Sequence, residues 1–266
     1  MRRIPALMTA SVVVSMTAAS LLAMAPTATA TTGGYAALGD SYSSGLGAGS
    51  TSGSCDQSSE AYGPLWDAAN SPSSFDFAAC SGATTADVID SQVPTISSST
   101  TLVSITVGGD DIGFSSTMET CILDGTSSCV SAVDSDEATA ESTLPAKLDA
   151  TITAIQAAAP NARIVMLDYP EFYDLSKSSS CTGLSTTSRT AIDTGIDELD
   201  SLIEQAANSY SGVTFADVRS EFSGHEICDS SAWLHSTNLL DLDESYHPTA
   251  TGQLDGFLPV FTSAAA

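Results

Sequence analysis

"YAALGDSYSSGLGAG", residues 35–49, is the stretch on which the reading turns. A short apolar run, Tyr35 to Leu38, stops at Gly39-Asp40-Ser41, and the chain then becomes small and polar. This pattern predicts a first buried strand with an Asp-Ser pair at its tip. Either the pair makes an ordinary turn, or Ser41 is held there to react. Residues 43–54, rich in Gly and Ser, are expected to be a rim loop too polar to pack.

The same alternation continues downstream. Residues 59–69 suit a short helix and 74–80 a strand, and "GATTADVIDSQV" reads as a helix with Thr at its start. "TLVSITV", 101–107, is β-branched and ends in Gly108-Gly109, so it is read as a buried strand closed by a turn. Residues 114–140 are Ser- and Asp-rich and are expected to be a loop, forming the cleft rim with the loops at 43–54 and 173–185. A helix is expected over 148–159, stopped by Pro160-Asn161, and "ARIVMLDYP" then has the continuous apolarity of a strand covered on both faces. Ile192, Ile196, Leu199, Leu202, Ile203 and Ala206 recur at helical spacing within 188–208. A last strand at 212–218 and a helix over 249–261 end the chain. Strands alternating with helices predict an α/β fold with a parallel sheet covered on both faces. Ligands in such folds bind beyond the carboxyl ends of the strands, where Ser41, Gly82 and Asp110 all fall.

Composition narrows the setting. Arg2 and Arg3, the apolar run through Val12–Val14, Leu21 and Leu22, and Ala28-Thr29-Ala30 have the layout of a secretory signal peptide over residues 1–30. Residues 31–266 are then expected to form one domain, exported from the cell. No later segment is apolar enough to span a bilayer. The formal charge is −25, and loss of Arg2 and Arg3 makes it more negative still, which argues against nucleic acid or anionic membranes as partners. A monomer acting on a small-molecule or lipid substrate is expected. Six cysteines, Cys55, Cys80, Cys121, Cys129, Cys181 and Cys228, suggest three disulfides in an exported chain. Fifteen connectivities are open to them; sequential pairing closes the shortest loops and is the expected one. No C-x-x-C pair or clustered Cys/His spacing supports zinc, and neither a metal nor a cofactor is expected.

Of three histidines, His247 in "DLDESYHPTATGQ" is the candidate base. Pro248 favours an extended conformation at His247 and suits the start of the next helix, so the imidazole is presented from a loop. A serine hydroxyl is a weak nucleophile without such a neighbour to take its proton. His225 and His235 are read as structural, Trp66 and Trp233 as buried, and Asp40 as fixing the turn. Gly39-Asp40-Ser41-Tyr42-Ser43 does not fit the G-x-S-x-G elbow of α/β-hydrolases.

"ALGDSYSSG", "ACSGAT" at 79–84, "ITVGGDDIGF" at 105–114 and "YHPTATGQ" at 246–253 resemble, in order, the blocks of the GDSL or SGNH hydrolases. The likeness is closest to secreted bacterial lipases and esterases with three disulfides. It implies a flavodoxin-like α/β/α sandwich and hydrolysis of carboxylic esters through an acyl-enzyme. Ser41 would be the nucleophile, His247 the base, and the N–H groups of Ser41 and Gly82 oxyanion-hole donors. The resemblance also supports the sequential disulfide pairing. Two positions depart from the family pattern. Asp110 stands where the family has Asn, so an ionised carboxylate would replace a donor. A protonated Asp110 would donate instead and bias activity toward mildly acidic pH; alternatively, Asp110 only caps the following turn. Glu244 stands where the family often has Asp; it could orient His247, or the carbonyls of Glu244 or Ser245 could. A carbohydrate acetylesterase and a catalytically silent binding protein are the competing functions on this fold.

Overall fold

Strand β1, Gly34–Gly39, is buried along its whole length, as an uncharged run must be at the centre of a covered sheet. The computed structural model describes residues 33–177, 181, 183–240 and 242–266, so the expected signal peptide lies outside the described residues. β1 pairs in parallel with β2 (Phe75–Phe77) on one side and β3 (Thr100–Thr106) on the other. β4 (Arg163–Leu167) and β5 (Val213–Ala216) extend the sheet beyond β3, again in parallel. The resulting order, β2-β1-β3-β4-β5, is that of flavodoxin-like folds. Its switch point lies between β1 and β3, so Asp40-Ser41 and Gly109-Asp110 leave the sheet on either side of one crevice.

Tyr35 shows how one face is sealed. Its ring lies 5.0 Å from Trp66 of helix α2 (Tyr62–Asn70), 5.1 Å from Phe75 and 5.4 Å from Phe261 of the C-terminal helix α6 (Leu258–Ala264). On the other face, α4 (Thr126–Ala158) packs against α5 (Thr186–Asn208). The apolar stripe predicted for α5 is buried from Ile192 to Ala206. The expected three-layer architecture is present, and all three disulfides pair sequentially: Cys55–Cys80, Cys121–Cys129 and Cys181–Cys228.

Two expectations are corrected. The first half of 43–54 is not too polar to pack: Ser43 and Ser44 are fully buried in a helical turn, α1 (Ser41–Ser44), while residues 49–54 are exposed as expected, with Thr51–Ser52 pairing with Gln57–Ser58. Ser43 tolerates burial because its Oγ accepts the Thr106 N–H at 3.1 Å and hydrogen-bonds the Tyr62 hydroxyl at 3.0 Å. Residues 114–140 are helical, in α3 (Phe114–Leu123) and the first half of α4, which begins 22 residues before the predicted start at 148. Cys129, Val133, Ala140, Leu144, Leu148, Ile152 and Ile155 form its buried face, and Cys121–Cys129 joins it to α3. Pro145 sits inside α4 and supplies no amide hydrogen there.

Candidate active site

Ser41 owes its position to the strand end that precedes it. Gly39 has φ +118°, and a Cβ there would lie 2.2 Å from the Thr106 carbonyl oxygen, so only glycine lets β1 turn this close to β3. Gln92, fully buried, clamps Gly39: its Oε1 accepts the Gly39 N–H at 2.7 Å and its Nε2 donates to the Gly39 carbonyl at 2.8 Å. Asp40 then caps α1, accepting the Tyr42 N–H at 3.0 Å, and Ser41 opens the turn.

His247 arrives from the far end of the chain. Its Nδ1 lies 3.1 Å from the Ser245 carbonyl, which can only accept, so the proton sits on Nδ1 and Nε2 is left as the acceptor. Nε2 receives the Ser41 hydroxyl at 2.8 Å. Burial, with His235 nearby as a further cause, holds the imidazole down at about 4, so it is a neutral base through most of the pH range. The loop is fixed from three sides. The Tyr42 hydroxyl donates to the Tyr246 carbonyl at 2.9 Å, and the Tyr42 ring lies 5.0 Å from that of His247. The His235 and His247 stretches exchange backbone hydrogen bonds, and His235 Nε2 sits 2.8 Å from the Gly47 carbonyl. Glu244 meets His247 through its own carbonyl, which accepts the His247 N–H at 3.2 Å; its carboxylate makes no hydrogen bond to the ring among the described residues.

The remaining predicted residues line the same cleft. Gly82 has φ +77°, a strained conformation for any side chain, in a loop tied down by Cys55–Cys80 and by the Ser81 N–H donating to the Cys55 carbonyl at 3.0 Å. The N–H groups of Ser41 and Gly82 make no hydrogen bond among the described residues, so both donors are free for a ligand in the cleft. Asp110 lies beside them, with Ser115 Oγ 3.5 Å from its Oδ1. Burial chiefly, reinforced by Asp111 and Asp87, raises its carboxyl to about 6.

Tyr169 was not foreseen from the sequence. Its hydroxyl donates to Asp40 Oδ2 and accepts the Gly109 N–H at 3.0 Å, so one oxygen joins the loop after β1 to the loop after β3. Burial, with repulsion from Asp110 next, pushes the Asp40 carboxyl well above the usual range. Only Tyr169's place after a strand end hinted at this role. Trp66 and Trp233 lie outside the cleft lining; Trp233 stacks on His225 at 3.7 Å, and the His225 ring bonds the Ser231 carbonyl. Among the described residues no group of acids, cysteines and histidines is arranged to hold a metal.

The cleft encloses about 610 Å³. Phe114, Met118 and Ile122 recur every four residues on α3 and form an apolar wall, with Leu46 and Leu242 also lining it. Carboxylates of Asp56, Glu119 and Asp243 stand among them. Such a site, a paired serine and neutral imidazole with free N–H donors beside an apolar wall, has the parts for acyl transfer.

Known proteins agree in kind. Over 235 residues, 87% of each chain, the sequence is 54% identical to Lipase 1 of Streptomyces coelicolor. Over 233 residues, 86% of each chain, it is 48% identical to a lipase of Streptomyces rimosus. The crystal structure of phospholipase A1 from Streptomyces albidoflavus matches with a TM-score of 0.85 at 48% identity, covering 88% of this chain and 99% of that one. Residues 37–254 match the GDSL-like Lipase/Acylhydrolase family, and the chain belongs to it.

Proposed function

We propose that the protein hydrolyses carboxylic acyl esters of lipids, with Ser41 as nucleophile and His247 as general base. The observation that carries this is the 2.8 Å hydrogen bond from the Ser41 hydroxyl to a neutral His247 Nε2 inside an apolar-walled cleft. As Ser41 Oγ bonds to the ester carbonyl carbon, its proton passes to Nε2. The oxyanion is received by the N–H groups of Ser41 and Gly82, with neutral Asp110 as third donor. The imidazolium, steadied by the Ser245 carbonyl on Nδ1, returns the proton to the departing alcohol oxygen as the C–O bond breaks. Water then attacks the acyl-enzyme by the same route, releasing the acid and restoring Ser41.

The α3 wall is the surface for the acyl chain, so esters of medium and long acids are the substrate class. A panel of p-nitrophenyl esters from acetyl to hexadecanoyl tests this. Rising kcat/KM from acetyl to medium-length chains is expected; turnover of the acetyl ester alone would replace the reading with a deacetylase.

The site of action belongs to the proposal as well. Three disulfides suit an oxidising compartment, and a Streptomyces rimosus relative of known structure is described as an extracellular lipase. Residues 1–30 are read as the exported chain's leader, and N-terminal sequencing of the secreted monomer, expected to begin at Thr31, checks it.

A further inference from the structure

Six large apolar side chains are exposed among the described residues: Leu123, Leu175, Leu239, Leu240, Leu242 and Leu254. Four of them belong to the two segments that border the cleft. Leu123 follows Ile122, which lines the cleft at the end of α3. Leu242 lines the cleft itself, and Leu239 and Leu240 precede it, exposed to 70% and 99%. A random scatter of surface leucines needs no explanation, but a group collected around one opening does.

The leucine segment is also held in place. The Asn238 N–H donates to Ser245 Oγ at 2.8 Å, the Leu240 N–H to Asn238 Oδ1 at 3.1 Å, and the Ser245 N–H to the Leu242 carbonyl at 3.1 Å. Thr237 Oγ1 bonds the Tyr246 hydroxyl at 2.8 Å. The loop is therefore closed at its base, and that base is Ser245, whose carbonyl faces His247. These bonds join the described residues at the two ends of the loop, while Leu239 and Leu240 stand exposed.

We propose that Leu239, Leu240 and Leu242, with Leu123, dock the cleft mouth onto a lipid surface without net charge, from which ester substrate enters. This rests on the ester-hydrolase reading above. The occupant follows from continuity and charge. The leucine rim adjoins the apolar α3 wall at Leu242, so an acyl chain leaving the lipid surface can follow Leu242, Ile122 and Met118 into the cleft. Asp56, Glu119 and Asp243 at the cleft and a formal charge of −25 oppose an anionic surface, which leaves neutral or zwitterionic lipid. A second copy of the chain is the competing occupant.

The test uses the Leu239→Ser/Leu240→Ser double variant beside wild type, because both positions are exposed and their loss leaves no cavity. Three readouts are taken: co-sedimentation with phosphatidylcholine vesicles, release of fatty acid from those vesicles, and hydrolysis of p-nitrophenyl acetate in solution. The expected result is at least about tenfold weaker vesicle binding, with vesicle hydrolysis falling in step and p-nitrophenyl acetate turnover retained. Equal vesicle binding by variant and wild type overturns the proposal, as does failure of wild type to bind phosphatidylcholine vesicles. A wild-type dimer in analytical ultracentrifugation that becomes monomeric in the variant overturns it in favour of the second copy. Failure of wild type to turn over any p-nitrophenyl ester would instead sink the ester-hydrolase reading, since vesicle binding is measured apart from activity.

Discussion

Asp110 and His247 pull the pH dependence in opposite directions. His247 must be neutral to accept the Ser41 proton, a condition met above about pH 4. Asp110 must be protonated to donate to an oxyanion, a condition met below about pH 6. Their product gives a bell-shaped kcat/KM with limbs near these two values. Asp110→Asn supplies a donor that does not titrate, so the upper limb should vanish and turnover at pH 8 should rise by about 10²-fold. A superimposable profile would remove Asp110 from the oxyanion site. Glu244→Gln should leave kcat within about twofold, because the Nδ1 proton is already taken by the Ser245 carbonyl; a loss of 100-fold or more would make Glu244 a third member. Ser41 and His247 were legible because each sits in a short local pattern that fixes its backbone. Tyr169 and Gln92 were not, since each acts on partners about 50 to 130 positions away, and nothing beside them in sequence marks the contact.

If the α3 wall takes the acyl chain as proposed, acyl length is set by Phe114, Met118 and Ile122, which advance along the helix by about 6 Å per four-residue step. Ile122→Trp at the far end should cut kcat/KM for the dodecanoyl ester about tenfold relative to the butanoyl ester. An unmoved ratio, in a variant melting near wild type, would take the acyl chain off this wall. Sequence patterning missed α3 and the first half of α4 for a physical reason. The buried face of the first half of α4 includes Cys129 and Ala140, small or weakly apolar groups, and Ser and Asp between them dilute the periodic signal. The α5 stripe, made of Ile and Leu, was read at nearly its full length. The first half of 43–54 departs from its reading for the converse reason: hydroxyls paired inside a fold look like exposed ones in a sequence.

Across the whole molecule, the acidity seen in composition continues into the interior. Asp40, Asp168, Asp193 and Asp200 are all buried, a division that a count of acids does not reveal. Burial is the main cause in each of a raised carboxyl, to about 8 at Asp168 and Asp193, although Arg219 near Asp168 and Asp200 opposes it there. A carboxyl raised on folding stabilises fully below its unfolded value and loses that contribution as pH climbs through the folded one. For Asp168 and Asp193 this window runs from 3.8 to about 8. His247 has the reverse sign, losing stability as pH falls from 6.5 to about 4, but it is one group against several. Tm should therefore be higher at pH 5 than at pH 8 by about 4 °C or more, given roughly 2–4 °C per kcal/mol for a chain of this size. A melting curve that is flat or rises toward pH 8 would show these acids ionised in the fold. The central claim, that His247 activates the Ser41 hydroxyl, is tested most directly by labelling with a fluorophosphonate and mapping the adduct by peptide mass spectrometry. A single adduct on Ser41, formed at least about 10³-fold more slowly in His247→Ala, is predicted; an adduct elsewhere, or one on Ser41 that forms equally fast without the imidazole, would contradict it.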